Sequence, residues 1–280
     1  MDAIREMYAR WAAGDMGSDD QWGDVTAEPR GLDYLEVSAG GVPAMWLSPH
    51  DAAQDRVIVA LHGGGFIGGS RFTHRKMYGH LAKAAGVRVL LATYRFAPRY
   101  RYPAQIEDAV TAYRWVAGQG VTTALAGDSS GGGLAVQVAL RVPGAAALLL
   151  MSPWIDMDPA QAANSYETNA ATDLVFTRPM VQGLIGQYLP EGVSGVDPAV
   201  NPFFADLSGL PPTYVQAGGD ESGLGDSERL AALAEKAGVE IRLDVFPGRL
   251  HTFQMAAGRS PEADDAIGRF AAWVRPRMSR

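Results

Sequence analysis

The residues best placed to do chemistry lie in TALAGDSSGGGLA (123–135). A short apolar run ends in Gly127-Asp128-Ser129-Ser130-Gly131, and a helical pattern follows at once. G-x-S-x-G between a strand and a helix is the spacing of a nucleophile elbow. Small flanking residues relieve crowding in a sharp turn, and that turn holds a serine hydroxyl exposed. The first N–H groups of the new helix then face any oxyanion that develops beside it. Taken alone, such a stretch is as readily a plain glycine-rich turn or an anion site. The GDSGG reading of trypsin-like chains is broken by the extra Ser130 and demands an all-β fold.

A serine nucleophile for acyl transfer needs oxyanion donors, a base and an acid. VIVALHGGGFIGGS (57–70) runs a strand into His62-Gly63-Gly64-Gly65, where side-chain-free residues let backbone N–H groups approach a substrate carbonyl. The expected donors are the N–H groups of Gly64, Gly65 and Ser130. Gly63, Gly65 and Gly68 also satisfy G-x-G-x-x-G, but a dinucleotide site requires an acidic residue at the end of the next strand. That strand ends Ala92-Thr93-Tyr94-Arg95, so the dinucleotide reading is disfavoured. Of five histidines, only His251 follows the last strand pattern, where a base arrives in the order serine, acid, histidine. His62 is expected to brace the glycine loop, and His74 and His80 to lie in or beside the next helix. In YVQAGGDESGLGD, Asp220 is the preferred acid, holding the imidazole tautomer. Glu221 and Asp226 are its competitors, Glu221 as the neighbour pointing away and Asp226 as the N-cap of the following helix.

The elements that must position these groups alternate. Strand-like runs at 57–61, 88–92, 123–126 and 147–151 are separated by helical patterns at 104–117 and 134–141. Near-continuous apolar strands between helices are what a parallel sheet covered on both faces requires. The pattern resumes at 213–217, 226–238, 240–246 and 261–274. LDYLEV (32–37) and VPAMWL (42–47) read as an antiparallel hairpin at the sheet edge. The expected fold is a mostly parallel eight-stranded α/β sheet with helices on both faces and a helical cap. Residues 31–153 and 211–280 form its core. Residues 1–30, with a helix over about 3–12 and a Gly/Asp-rich loop, and the excursion 154–210, helical only around 178–189, are read as the cap. Trp22, Phe66, Trp154, Phe176, Tyr188 and Phe203 are candidate pocket walls, with a core role the competing reading at each.

Composition agrees with a globular enzyme. The 280 residues are 47% hydrophobic and 20% charged, with 31 acidic against 24 basic side chains. A net charge of −7 spread along the chain argues against a nucleic-acid footprint. No cysteine is present, which excludes a thiol nucleophile, thiolate metal sites and disulfides. No apolar run is long enough for a membrane span, and the charged N-terminus lacks the apolar core of a secretion signal. A cytoplasmic location is expected, with no cofactor and no metal. The expected partner is a small-molecule ester or lactone, and a homodimer through the last strand and helix is a further expectation.

HGGGF (62–66), YRFAPRYRYPAQIED (94–108), GDSSGG (127–132), SPW (152–154), FADLSGLPPTYVQAGGDE (204–221) and HTFQ (251–254) occur in this order. From about residue 30 onward the chain resembles the bacterial hormone-sensitive-lipase family of α/β-hydrolases. The resemblance implies Ser129, Asp220 and His251 as nucleophile, acid and base, Gly64 and Gly65 as oxyanion glycines, and a cap over the site. It further implies hydrolysis of short acyl esters, or of lactones, since small carboxylesterases and ε-lactone hydrolases look most similar. A ligand-binding protein of the same fold that has lost catalysis is the remaining alternative. The chain departs from the family where YRLAPE is usual: Phe96, Arg99 and Tyr100 stand there, so any bond made by that carboxylate must be replaced or lost.

Overall fold

The computed structural model describes residues 3–15, 19–158, 160, 165–173 and 175–279; residues 16–18 of the Gly/Asp-rich loop and 161–164 of the excursion lie outside them. Eight strands form one sheet: β1 (Leu32–Ala39), β2 (Val42–Pro49), β3 (Ala53–Leu61), β4 (Val87–Ala92), β5 (Thr122–Asp128), β6 (Leu148–Met151), β7 (Thr213–Gly218) and β8 (Ile241–Phe246). Their spatial order is β1-β2-β4-β3-β5-β6-β7-β8. Only β2 runs antiparallel to its neighbours, so the expected edge hairpin is present and β3 to β8 are parallel.

The apolar strands bury both faces, as their patterns require. In β3, Val57, Val59 and Leu61 join one core while Ile58 and Ala60 join the other; in β6, Leu148 and Leu150 separate in the same way from Leu149 and Met151. Helices α3 (Ala104–Ala117), α4 (Ser129–Arg141) and α7 (Leu224–Lys236) cover the first face. The second is covered by α2 (Arg71–Ala85) and α8 (Pro261–Met278), with α1 (Ala3–Ala12) adding Ile4 and Tyr8. Side chains alternating across a pleated strand explain why inner strands such as β3 and β6 are apolar where both faces are covered, whereas the edge strands β1 and β8 carry polar residues.

Helix α2 begins at Ser70, whose hydroxyl accepts the N–H groups of Phe72 and Thr73, while Thr73 Oγ1 accepts the Ser70 N–H at 2.8 Å. This reciprocal cap satisfies donors that a helix start leaves open. It fixes the rotation of α2 and so the direction of His74 and Tyr78. The excursion after β6 contains α5 (Ser165–Thr168) and α6 (Arg178–Tyr188), followed by two short 3₁₀ turns at Pro202–Phe204 and Leu207–Gly209. In the variant YRFAPRY segment, Arg95 binds the Asp108 carboxylate at 2.9 Å, and the Arg99 guanidinium lies 5.3 Å from the Tyr100 ring.

Candidate active site

β5 passes directly into α4 at Ser129, whose φ is 51°. A left-handed backbone at a residue with a Cβ is unfavourable by about 1–2 kcal/mol, so the surrounding packing must enforce it. The two glycines of the motif show how. A Cβ at Gly127 would collide with the carbonyl of Gly131, and one at Gly131 with the carbonyl of Leu61 at the end of β3. The elbow closes only because both side chains are missing. The Trp154 N–H donates to the Ser129 carbonyl at 2.9 Å and pins the turn from the far side.

The Ser129 hydroxyl lies 2.8 Å from His251 Nε2 across 122 residues of sequence. His251 is 4% exposed and follows β8 in a short loop. The Tyr8 hydroxyl donates to its carbonyl at 2.7 Å, and the Phe176 ring packs at 4.3 Å from the imidazole. Burial works against a charged imidazole. The adjoining Glu221 carboxylate and the charges of Asp173 and Asp128 outweigh that, leaving His251 above the ordinary histidine value of 6.5.

The sequence reading sets Asp220 beside this imidazole; the structure sets Glu221 there. Glu221 is 0% exposed, and its Oε2 lies 3.8 Å from His251 Nδ1. Neither Nδ1 nor Glu221 Oε1 has a hydrogen-bond partner among the described residues. At 3.8 Å the two groups form an ion-pair contact rather than a hydrogen bond. Asp220 instead turns outward and accepts from Arg5 Nη2 at 2.6 Å. The reason is the turn after β7. Gly219 and Asp220 donate their N–H groups to the carbonyls of Phe246 and Arg249, which ties this turn to the β8 loop and aims successive side chains oppositely. Asp226 is not a cap either. α7 starts after Gly223, and Asp226 Oδ2 accepts the N–H groups of Ile155 and Asp156 at 2.7 and 2.9 Å. Burial pushes its carboxyl up to about 7.

The residue before Ser129 is also engaged. Asp128 is 1% exposed and lies between His74 Nε2, at 3.2 Å, and the Tyr78 hydroxyl, which donates to it at 2.8 Å. Burial alone would raise its carboxyl, but His74 and Tyr78 bring it below the usual carboxylate value. His62 braces the glycine loop as expected: its Nδ1 lies 2.7 Å from the Gly63 carbonyl and its ring stacks on Tyr94 at 4.7 Å. Burial, with His74 nearby, drives it down to about 3, so it stays neutral. Gly64 and Gly65 have φ of 125° and 62°, and the Gly64 carbonyl accepts the N–H groups of Ile67 and Gly68 in a tight turn facing Ser129. Ser130 is fully buried at the second position of α4.

A cavity of ≈ 210 Å³ opens over Ser129 and His251. Its walls come from Met7, Tyr8 and Trp11 of α1, from Trp22, Phe176 and Met255, and from Met180 and Leu184 of α6. A second void of ≈ 20 Å³ on the other flank of Ser129 is bounded by Trp154, Tyr166 and Phe176. Among the expected wall residues, Trp22, Phe176 and Trp154 therefore reach the site. Phe66, Tyr188 and Phe203 do not. Phe66 and Tyr188 are fully buried and stack on each other at 4.0 Å, and Phe203 is buried beneath the Arg229 guanidinium. The wall residues of α1 and α6 escaped the sequence reading because methionine and leucine at helical spacing look the same on a core face and on a cavity wall. Among the described residues no cluster of His, Cys, Asp or Glu could hold a metal ion, and no helix is long and apolar enough to cross a membrane.

Residues 58–255, spanning both the elbow and His251, match the family model for the α/β-hydrolase fold. A crystal structure of an esterase from the bacterial hormone-sensitive lipase family superposes with a TM-score of 0.91 at 38% identity, covering 99% of this chain and 96% of that one. The chain belongs to the bacterial hormone-sensitive-lipase family. A hormone-sensitive lipase from a metagenome library superposes equally well, with a TM-score of 0.92 at 29% identity over 100% of this chain and 99% of that one. Curated relatives include an acetyl-hydrolase of Streptomyces hygroscopicus, 36% identical over 85% of this chain and 81% of its own length. An esterase of Acinetobacter venetianus is 34% identical over 80% and 76% respectively. This member of the hormone-sensitive-lipase family is a serine ester hydrolase of the carboxylesterase type.

Proposed function

We propose that the protein hydrolyses short-chain carboxylic esters through an acyl-enzyme on Ser129, with His251 as base and Glu221 as acid. The reading rests above all on the 2.8 Å contact between Ser129 Oγ and His251 Nε2 at a strained elbow. Neutral His251 takes the hydroxyl proton, and the alkoxide attacks the ester carbonyl. Negative charge then grows on an oxygen facing the N–H groups of Gly64, Gly65 and Ser130. The imidazolium, favoured by Glu221, protonates the leaving alcohol, and water releases the acid by the same steps in reverse.

Segments 1–30 and 154–210 act in this proposal as a cap, since α1 and α6 supply most of the apolar wall over Ser129. An apolar cavity of ≈ 210 Å³ suits a small aliphatic ester or a lactone. A homodimer through β8 fits the outer edge that this strand leaves at the end of the sheet. Ser129→Ala is expected to abolish p-nitrophenyl ester hydrolysis by several orders of magnitude and to remove fluorophosphonate labelling, with the fold intact. Retained turnover in that variant sinks the assignment. A wild-type protein that neither labels nor hydrolyses any linear ester or lactone would instead be a binding protein.

A further inference from the structure

We infer that Ser152 is a positioning residue, its hydroxyl coupling the Glu221 carboxylate to the loop that carries His251. The inference rests on the reading of Glu221 as the acid. Ser152 follows β6 directly and is 1% exposed. Its hydroxyl donates to Glu221 Oε2 at 2.6 Å and accepts the N–H of Thr252 at 3.0 Å. Thr252 is the residue after His251, so one oxygen touches both the acid and the backbone beside the base. The Gly218 N–H, at 3.1 Å, is the second donor to Oε2. Oε2 is thus held by two donors, and the carboxylate is turned to the imidazole side.

The backbone at Ser152 supports a functional rather than a packing role. Its φ is 46°, and Thr252 at the other end of the bond has φ 50°. Glycine would occupy such a conformation without strain, yet serine stands here. Strained non-glycine residues persist where the side chain is used. The carboxylate has no salt-bridge partner except the imidazole among the described residues, so without Ser152 its orientation would depend on the Gly218 N–H alone. The loop would likewise lose the bond that fixes Thr252 and, through it, the height of the imidazole over Ser129.

The charged and titratable groups acting on His251 are Glu221 from the turn after β7, Asp173 from the segment before α6, and Asp128 from the end of β5; Tyr8 of α1 reaches its carbonyl. Only Glu221 is held by Ser152. The test compares wild type, Ser152→Gly and Glu221→Gln for kcat, KM and pH profile on p-nitrophenyl acetate, normalised to fluorophosphonate-reactive serine. Glycine is chosen because alanine would retain the strain. In Ser152→Gly, relief of strain offsets the unpaired Thr252 N–H, so the melting temperature is expected to stay near wild type. kcat is expected to fall roughly 10- to 100-fold, as for a small misplacement of a catalytic group. KM should change little, and the acidic limb should move to lower pH as the imidazole loses its carboxylate. If Ser152→Gly keeps wild-type kcat and limb while Glu221→Gln collapses, the positioning role is overturned and the acid stands. If kcat falls only with a lowered melting temperature and an unmoved limb, Ser152 is structural and the inference is again overturned. If Glu221→Gln leaves both readouts unchanged, the acid assignment itself fails and the inference falls with it.

Discussion

Replacing Glu221 by Gln and Asp220 by Asn in parallel tests the reversal at the acid position. In Glu221→Gln the shape is kept and the charge removed. At the observed 3.8 Å between Oε2 and Nδ1, a unit charge pair at an effective dielectric constant of about 20 attracts by about 4 kcal/mol. Imidazolium forms as the tetrahedral intermediate forms, so most of this is lost from the transition state. At 1.36 kcal/mol per decade the loss is about 10³-fold in kcat/KM. An amide can also accept or donate at Nδ1 and so select the wrong tautomer, which adds to the loss. Asp220→Asn removes only a bridge to Arg5 whose side chains are 27% and 36% exposed. Such pairs contribute about 0–1 kcal/mol to stability, so kcat is expected to stay within a few-fold of wild type. Initial rates on p-nitrophenyl acetate at pH 8, corrected for reactive serine, give both values. A thousand-fold loss in Asp220→Asn with near-normal turnover in Glu221→Gln would refute the assignment and restore Asp220.

Two further outcomes follow from the buried titratable groups. Because Glu221 holds His251 above 6.5 and the base must be neutral, kcat/KM is expected to rise with pH through an apparent pKa above 6.5. A limb below 6.5, or a flat profile between pH 5 and 8, contradicts that balance of charges. For Asp226, the folded-state pKa of about 7 lies above the unfolded value of 3.8. The stabilisation of its protonated form is therefore complete below about pH 4 and lost as pH rises through 7, an upper bound of about 4 kcal/mol. Asp226→Asn keeps an acceptor for the Ile155 and Asp156 N–H groups without the charge. Its melting temperature is expected to gain on wild type as pH increases from 5 to 9, and a difference independent of pH would contradict the raised value.

Much of this site was legible because its determinants are local. The elbow needs two missing side chains around one serine and a strand running straight into a helix, and residues 123–135 carry all of these. His251 was readable from chain order, and the strands from apolar runs that only a doubly covered sheet demands. α6 and α3 were readable from period and boundary residues. The carboxylate beside His251 could not be read this way. Asp220 and Glu221 are adjacent carboxylates, and which one faces the imidazole depends on how the turn after β7 is tied to the loop after β8, contacts made about 27–29 residues apart in sequence, as a difference of residue numbers from Gly219 to Phe246 and Asp220 to Arg249.

The same limit separates the aromatics. Phe66, Tyr188 and Phe203 have the composition of a pocket wall, but stacking and burial assign them to the core. Met7, Tyr8 and Trp11 line the cavity only because α1 folds back over the sheet's carboxyl end. Nothing in the SPW motif itself marks Ser152 as different from its neighbours; its role arises where β6, the Glu221 turn and the His251 loop converge on its hydroxyl. The sequence by itself determined the elbow at Ser129, the place of His251 after the last strand and the sheet that carries both, since each depends on short-range sterics and periodicity. Only the tertiary structure decided which carboxylate lies beside His251, which side chains wall the cavity and which hydroxyl bridges Glu221 to the His251 loop, because each is a choice between chemically similar neighbours made by long-range packing.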